Sequence, residues 1–288
     1  MGDFMIQEDG FWFLDGLSRE YIVVESDRLD DYITYINEKK IKAIYICNLY
    51  FFDSNIDFLN RCDFVEKINL NCDCVIDFSG IYYLKKLKSL FVNETKGKID
   101  VSNYCLLEHL RINMKNVTGL DKLKSLKKLA LWSYNPKSKD LSELSALRSL
   151  EELELIRSNI NSFKGCEKLQ NLTLLDCTYM SKLTNLDYLE QMKETLKILR
   201  FESCKNIQNH DYVKCLTNLE WLVYLKCGQM DTIEFIKDMP NLKNFVFMNT
   251  DVLDGNIAPC EGLEHVAFTD KKHFSHRMRD FKKVDKIM

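Results

Sequence analysis

The stretch LKILRFESCKNI, from Leu196 to Ile207, decides the fold because its pattern returns along the chain. Apolar side chains at Leu196, Leu199 and Phe201 are followed three residues later by Cys204. The stretch LEWLVYLKCGQM, which begins at Leu219, repeats the pattern with another cysteine in the same place. Self-similarity of this kind indicates a structure built from stacked copies of one unit.

The position three residues after the third apolar residue, which we name the slot, holds small side chains of different types. In our alignment of the copies it is occupied by Cys177, Cys204, Cys227, Ser158 and Thr250. A nucleophile or a metal ligand would not change identity from copy to copy. Small side chains that hydrogen-bond a buried turn can be exchanged, and free cysteine often behaves as a small buried hydrophobe. We therefore interpret Cys204 as a structural residue.

Eleven copies follow one another at a mean spacing of about 22 residues, although the individual steps differ in length. The three apolar columns of these copies contain only apolar or aromatic residues. The alternation L-x-L is the period-2 pattern of a strand. One such strand cannot bury its own apolar face, so the copies should stack into a parallel sheet over a continuous core. The copies start at Ile41, Val65, Leu87, Leu107, Leu126, Leu150, Leu169, Leu196, Leu219, Leu242 and Leu263.

This pattern resembles the leucine-rich-repeat family, whose consensus is L-x-x-L-x-L-x-x-N/C-x-L in repeats of about 20–29 residues. The short repeats look like those of the bacterial, internalin-like type. The resemblance implies an α/β fold: a right-handed solenoid (horseshoe) of about eleven repeats, with a parallel sheet on its concave face. Short helices, 3₁₀ turns or extended turns would form the convex face. Capping residues and apolar spacing predict short helices at 140–147, 185–196 and 231–239.

The two ends of the chain do not follow the repeat. Residues 1–40 are predicted to form an N-terminal cap of strands and one helix, with Ser26 as the helix N-cap. Phe11, Trp12 and Phe13 would pack inside this cap. The repeats would occupy residues 41–270, and residues 271–288 would form a C-terminal cap or tail. We expect one structural domain overall.

Composition points to a soluble cytoplasmic protein. The net charge is −3, and 46% of the residues are hydrophobic, which is typical of globular chains. The acidic start and the lack of a long apolar run predict neither a signal peptide nor a membrane span. The eleven cysteines are an odd number, and without an export signal we expect them to stay reduced.

Two groups of residues raise the question of metal or thiol chemistry. Cys72 and Cys74 lie near Cys62, and His273 and His276 form H-x-x-H in the tail. A zinc site needs further ligands at suitable spacing, and neither group has them in sequence. We therefore predict no catalytic residue, no metal and no cofactor, and we keep a metal-dependent or thiol enzyme as the least favoured alternative.

The concave face should carry the function, through the third, fifth, seventh and eighth residues of each copy. These columns contain six basic and six acidic residues. Nucleic-acid binding requires a basic stripe, so we do not predict it. The twelve residues are Lys67, Arg111, Lys128, Arg157, Arg200, Lys226, Glu94, Glu152, Glu154, Asp176, Glu202 and Asp270.

The later copies place apolar side chains in these columns with charges around them, which is typical of protein interfaces. We predict a non-catalytic module that binds another protein, as an inhibitor, an adaptor or an immunity protein, and that is monomeric. A self-associating structural protein is the alternative. Tyr134 and Pro136 would extend the edge of the patch. The predicted partner-binding residues are Trp132, Glu154, Ile156, Leu175, Arg200, Glu202, Trp221, Leu225 and Met248.

Overall fold

A computed structural model describes residues 5–15, 19–93 and 97–281. Residues 1–4 and 282–288 of the predicted caps, and Glu94 of the predicted concave face, lie outside the described residues. The chain divides into two compact units, Met1–Lys128 and Leu129–Met288. Among the described residues, no helix combines the length and the apolar character that crossing a bilayer requires.

The first unit begins with an antiparallel arrangement and continues with parallel strands. Strand β1 pairs with β2 and β2 with β3 in antiparallel fashion, and the sheet then continues in parallel through β4, β5, β6 and β8. The two short strands β7 and β9 pair separately. The strands are β1 (Met5–Glu8), β2 (Phe11–Leu14), β3 (Tyr21–Val23), β4 (Ala43–Cys47), β5 (Lys67–Asn71), β6 (Ser89–Val92), β7 (Ile99–Asp100), β8 (His109–Asn113) and β9 (Val117–Thr118).

Aromatic contacts hold the start of the first unit together. Phe11 stacks on Tyr35 of helix α1 (Leu29–Lys39), with ring centroids 4.1 Å apart, and meets Tyr32 edge-on at 4.9 Å. Trp12 lies beside Tyr50 at 6.2 Å.

The face of β4 that the repeat pattern would expose is covered instead. Ala43, Tyr45 and Cys47 are buried in a cluster with Leu14 and side chains of β3. The first repeat therefore offers no open surface at these positions.

Ser26 is not the N-cap of α1, so that prediction was wrong. The helix starts at Leu29 after a 3₁₀ turn at Ser26–Arg28, and Arg28 stands at the N-cap position without a side-chain cap bond. The Ser26 hydroxyl instead donates to Asp53 Oδ2 (2.8 Å) and accepts the Phe52 N–H (2.9 Å). These two hydrogen bonds connect the N-terminal cap to the loop of the first repeat. The Ser26 hydroxyl is therefore not available to cap the first turn of the helix.

The second unit is a run of parallel strands. Their order is β10, β11, β12, β13, β14, β16 and β18, and β15 pairs separately with β17. The parallel sheet predicted from the repeats is confirmed. The strands are β10 (Lys128–Trp132), β11 (Glu152–Ile156), β12 (Leu174–Thr178), β13 (Ile198–Glu202), β14 (Trp221–Leu225), β15 (Gly228–Met230), β16 (Asn244–Phe247), β17 (Thr250–Val252) and β18 (His265–Phe268).

The connections of the second unit contain 3₁₀ turns where short helices were predicted. The three segments form 3₁₀ turns at Ser142–Leu144, Leu189–Met192 and Glu234–Asp238. A 3₁₀ turn rises about 2.0 Å per residue against about 1.5 Å in an α-helix. It therefore spans the same distance with fewer residues, and it avoids the costly nucleation of an α-helix only two turns long.

The predicted register of the seventh repeat was wrong by three residues. Leu175 pairs with Leu153 on one side and Leu199 on the other, and Cys177 pairs with Leu155 and Phe201. Both Leu175 and Cys177 are fully buried. The repeat therefore starts at Leu172, which makes the steps to the repeats before and after it nearly equal in length.

This correction moves two predicted residues. Leu175 belongs to the core and not to the partner-binding face, because burial beside two leucines removes its apolar surface from water. Cys177 belongs to the third apolar column, and the slot of this repeat holds Met180, which is fully buried.

The structural role predicted for the slot is confirmed in the neighbouring repeats. The Ser158 hydroxyl donates to the Tyr134 carbonyl oxygen over 2.6 Å. The Cys227 thiol donates to the carbonyl oxygens of Phe201 and Leu225, both at 3.3 Å. Each small side chain thus satisfies backbone carbonyls that are shielded from water, which is the requirement for burying them.

Candidate functional site

Six strands of the second unit, β10 to β14 and β16, are each followed by a residue with a left-handed backbone. These residues have φ between 52° and 56°, and they are Ser133, Arg157, Tyr179, Ser203, Lys226 and Asn249. The first five donate their N–H to a carbonyl of the next repeat, as Tyr179 does to Glu202 over 2.8 Å. The strands therefore end at equivalent positions in consecutive repeats. The third, fifth and seventh residues of consecutive repeats form straight rows as a result.

These rows form the side of the sheet away from the core, which we name the open face. Strands β11, β12 and β13 contribute three residues each, and four of the nine carry a carboxylate. We name this group the acidic half. It consists of Glu152, Glu154, Ile156, Leu174, Asp176, Thr178, Ile198, Arg200 and Glu202.

The next three strands place a different chemistry on the same face. Their nine residues include no Asp, Glu, Lys or Arg, and we name this group the apolar half. It consists of Trp221, Val223, Leu225, Asn244, Val246, Met248, His265, Ala267 and Thr269. The change from one half to the other occurs between β13 and β14.

Asp176 is the central carboxylate of the acidic half. It lies between Glu154 and Arg200 in the register of the sheet. Arg200 Nε is 3.4 Å from one carboxylate oxygen, and the Thr178 hydroxyl donates to the other over 3.1 Å. Burial nevertheless raises the pKa of Asp176, because desolvation outweighs the nearby guanidinium, and Glu202 adds to the rise. The carboxylate is thus only partly compensated.

Arg200 does not bury its charge in this contact. Its side chain is 45% exposed, whereas that of Asp176 is 16% exposed. The other arginine at this edge, Arg157, lies over the ring of Tyr179 at 5.8 Å. Because nearly half of the Arg200 side chain is exposed, its guanidinium stays available for other contacts.

The apolar half centres on β14. Trp221 and Leu225 are half-buried, and Val223 between them is buried. Val246 is half-buried, and Met248 is 37% exposed. The ring of Trp221 lies 6.1 Å from that of His265, two strands away. These side chains form one contiguous surface that is only partly covered.

Most of the predicted partner-binding residues lie on the open face. Trp132 and Ile156 are half-buried on β10 and β11. The acidic half holds Glu154, Arg200 and Glu202, and the apolar half holds Trp221, Leu225 and Met248. Leu175 is the exception, for the reason given above.

Tyr134 and Pro136 do not extend the patch, so that expectation was wrong. Both are buried, and the Tyr134 hydroxyl donates to the Asp140 carbonyl oxygen over 3.1 Å. The Tyr134 ring follows strand β10 and packs into the core, because its hydroxyl can donate to a buried backbone carbonyl there.

The structure also reveals surface residues that the sequence reasoning missed. Leu174 takes the open-face position of the seventh repeat, and the spacing from Leu172 to Leu196 was the signal that could have found it. In the first unit, Leu49, Phe52 and Ile76 are exposed by 71%, 58% and 58%. They lie after strands β4 and β5, where no periodic pattern marks them.

Cys62 and Cys72 occupy protected positions, as do Cys166 and Cys260, whereas Cys74 is exposed. Burial raises the pKa of Cys62 to about 11 and that of Cys166 and Cys260 to about 12. Buried Cys72 donates its thiol to the Phe51 carbonyl oxygen over 3.3 Å. Cysteine reactivity requires the thiolate, which these environments disfavour.

The tail histidines make local hydrogen bonds. His273 Nε2 lies 3.0 Å from the Val252 carbonyl oxygen, and His276 Nδ1 lies 2.9 Å from the Ser275 hydroxyl. Across residues 5–15, 19–93 and 97–281, no group of three or more His, Cys, Asp or Glu side chains is placed to hold a metal ion.

His210 is a buried imidazole away from the open face. Its ring meets that of Tyr224 edge-on at 5.1 Å, and neither nitrogen has a hydrogen-bond partner of normal geometry in the described structure. Burial lowers the pKa of His210 to about 4, and the nearby carboxylates of Asp231 and Asp211 oppose this only in part. The histidine is therefore neutral at neutral pH.

Comparison with known proteins identifies the fold. No family model matches the sequence, and none of the curated proteins matches it. Among solved structures, a leucine-rich-repeat protein of Leptospira interrogans superposes with a TM-score of 0.53 at 16% identity. That match covers 80% of this chain and 68% of the other. Together with the repeat register described above, it shows that this chain has the leucine-rich-repeat fold.

Two internalins of Listeria monocytogenes are also similar in structure. InlF gives a TM-score of 0.47 at 18% identity and covers 80% of this chain and 82% of its own. Internalin C2 gives 0.44 at 20% identity and covers 68% of this chain and 76% of its own.

Proposed function

We propose that this chain is a non-catalytic module that binds another protein on the open face of its second unit. The observation that carries the proposal is the division of that face into an acidic half and an apolar half. Exposed apolar surface bordered by charges is the usual composition of a protein interface. Trp221 and Arg200 are of the residue types that most often dominate binding energy.

The charges of the open face favour a protein over a nucleic acid. The acidic half has four carboxylates, Glu152, Glu154, Asp176 and Glu202, against the single guanidinium of Arg200. Nucleic-acid binding requires a row of cations that displace counterions, and the acidic half has no such row. The raised pKa of the buried thiols likewise supports a binding role over a catalytic one.

The finer role belongs to the same proposal. An inhibitor, an adaptor and an immunity protein would all act by holding one partner, and we propose a role of this kind for a monomer. Cysteines placed as core and slot side chains suit a reducing compartment. We therefore propose a cytoplasmic location.

Self-association is a second candidate, and one observation favours it. Phe52 and Ile76 each lie eleven residues after the start of their repeats and are both 58% exposed, next to exposed Leu49. Sedimentation of the wild type and of a Phe52→Asp variant tests this candidate. Self-association through these side chains predicts a larger species that this substitution dissociates.

The protein-binding proposal is tested by capture from a lysate of the native host with three forms of the chain. They are the wild type, Leu225→Asp on the apolar half, and Leu253→Asp as a matched control. Leu253 is 49% exposed in the same unit but lies outside the open face. We expect a protein that the wild type and Leu253→Asp retain and that Leu225→Asp loses. Equal retention by all three forms would contradict the proposal, provided that circular dichroism shows each form folded.

A further inference from the structure

We propose that a polar groove on the side of the second unit, which we name the flank groove, binds a neutral saccharide. Its lining comes from the segments that follow strands β13 and β14 and from single residues of the neighbouring repeats, and its volume is about 780 Å³. Sites for small molecules have volumes of about 300–1,000 Å³. The described lining includes no residue of the acidic half or the apolar half, so this inference goes beyond the proposed function.

The charges of the flank groove balance among the described residues that line it. Lys271 Nζ is 2.7 Å from Asp251 Oδ2, so these two charges neutralise each other. Lys205 and Asp231 supply one further charge of each sign. A ligand with charges of only one sign would be attracted by one of them and repelled by the other. The balance therefore favours a neutral polar ligand.

Four side chains of the flank groove have hydrogen-bonding capacity to spare. They are the ammonium of Lys205, the amides of Gln208 and Gln229 and the carboxylate of Asp231. All four residues are exposed, and within residues 5–15, 19–93 and 97–281 their side chains form no hydrogen bond or ion pair. Together they offer both donors and acceptors. A hydroxyl group can donate and accept at once, so a ligand with many hydroxyls can satisfy all four.

The lining also contains a buried polar side chain without a partner. His210 is 5% exposed, and neither of its ring nitrogens makes a hydrogen bond of normal geometry to a described residue. A buried polar group that is left unpaired lowers stability, so its presence in the wall of a groove indicates a role. A ligand hydroxyl can serve as the partner of either tautomer, because it both donates and accepts.

The flank groove suits a saccharide better than a peptide. An extended peptide obtains its specificity from pockets that take its side chains. Ile207 is the one aliphatic side chain in the described lining, and only 5% of it is exposed. The groove therefore offers a peptide side chain almost no apolar surface. A saccharide needs no such pocket, because it presents a hydroxyl on most of its carbon atoms.

The experiment probes the full wild-type chain with an array of immobilised oligosaccharides. One group contains neutral hexose and N-acetylhexosamine oligomers, and the other contains oligomers with uronate, sulfate or sialate groups. The neutral oligomer with the strongest signal is then titrated by calorimetry into the wild type, Asp231→Ala, Gln229→Ala and Leu225→Asp. The matched control is Asp238→Ala, since Asp238 is an exposed carboxylate of the same unit outside the groove. Circular dichroism checks that each form is folded.

We expect neutral oligomers to bind, and we expect Asp231→Ala and Gln229→Ala each to weaken binding about tenfold through the loss of a hydrogen bond to the ligand. Asp238→Ala and Leu225→Asp should bind as the wild type does. The inference is overturned if no neutral oligomer binds, if anionic oligomers bind more tightly, or if the two groove variants bind as tightly as the wild type. Loss of binding in Leu225→Asp would place the saccharide on the open face and would equally overturn it.

A displayed peptide library, selected in parallel on the same chain, tests the other class of ligand. Peptides that require Asp231 and Gln229 would assign the flank groove to a protein and overturn the saccharide. Peptides that require Leu225 alone support the proposed function and leave the groove to the saccharide. The two proposals can therefore fail separately.

Discussion

The Cys204 thiol donates a hydrogen bond to the Cys177 carbonyl oxygen of the preceding repeat over 3.2 Å. This bond joins the slot of one repeat to the third apolar column of the one before it. The same link recurs from Cys227 to Phe201 (3.3 Å) and from Thr250 to Tyr224 (3.3 Å). Thiol and hydroxyl can substitute for each other because both supply one donor from a small side chain. The slot therefore serves the stacking of repeats.

Replacing Thr250 by Val tests the slot, because the two side chains have the same shape. The Thr250 hydroxyl also accepts the Cys227 N–H over 3.0 Å, so valine would leave a buried donor unpaired. We expect the free energy of unfolding to fall by about 1–3 kcal/mol, measured by urea denaturation. Thr250→Ser, which keeps the hydroxyl, should lose clearly less. A larger loss in Thr250→Ser than in Thr250→Val would mean that the methyl group, not the hydrogen bond, matters.

Lys226 tests the left-handed backbone at the end of each strand. Its φ is 54°, a conformation that costs non-glycine residues about 1–2 kcal/mol. We expect Lys226→Gly to raise the unfolding free energy by about 0.5 kcal/mol, since glycine relieves this strain but also loses more chain entropy. Lys226→Val should lower it by about 1 kcal/mol.

Lys193 is the control for this pair of variants. It is also an exposed lysine of the second unit, but its backbone is right-handed at φ −57°. Lys193→Gly should therefore destabilise the chain, measured by the same urea denaturation. A gain of stability there would show that removing a lysine, not relieving strain, explains the effect at Lys226.

His210 should make the stability of the chain fall in mild acid. Its pKa is 6.5 when unfolded and about 4 when folded, because burial opposes the charge. Below pH 6.5 the unfolded state binds the proton more tightly, so stability falls as the pH drops and the loss levels off near pH 4. The full loss would be about 3 kcal/mol.

The measurement compares the wild type with His210→Phe by urea unfolding between pH 7 and pH 4. Phenylalanine keeps an aromatic ring against Tyr224 but cannot titrate. The stability of the wild type relative to His210→Phe should therefore fall as the pH falls. A difference that is constant over this range would show that His210 binds its proton as readily in the folded chain as in the unfolded chain.

Leu175 and Thr178 test the register of the seventh repeat. Leu175 is fully buried between Leu153 and Leu199, whereas Thr178 is half-buried on the open face. We expect Leu175→Lys to prevent folding or to lower the unfolding free energy by more than about 4 kcal/mol, since it places an unpaired charge in the core. Thr178→Lys should fold with a loss of about 1 kcal/mol or less. Circular dichroism and urea denaturation distinguish the two, and the reverse order would restore the register that places Leu175 on the surface.

The sequence by itself determined that the repeats form parallel strands, and that the apolar residues of successive strands form one continuous core. This follows from the L-x-x-L-x-L pattern, because a strand with one apolar face has no stable position except beside its copies. Trp221, Leu225 and Met248 could be assigned to the open face on the same basis. The slot could also be interpreted correctly from its exchange of Cys, Ser and Thr.

Only the tertiary structure decided the frame of the seventh repeat and the chemistry that depends on it. The stretch LQNLTLLDC fits the pattern from Leu169 and again from Leu172, and the sequence contains no local reason to prefer either frame. The neighbouring strands select the second, because it places Leu175 and Cys177 beside buried residues on both sides. Only in that frame does Asp176 lie between Glu154 and Arg200. The acidic half of the open face thus arises from pairing between strands distant in sequence, and one strand's own alternation cannot specify such pairing.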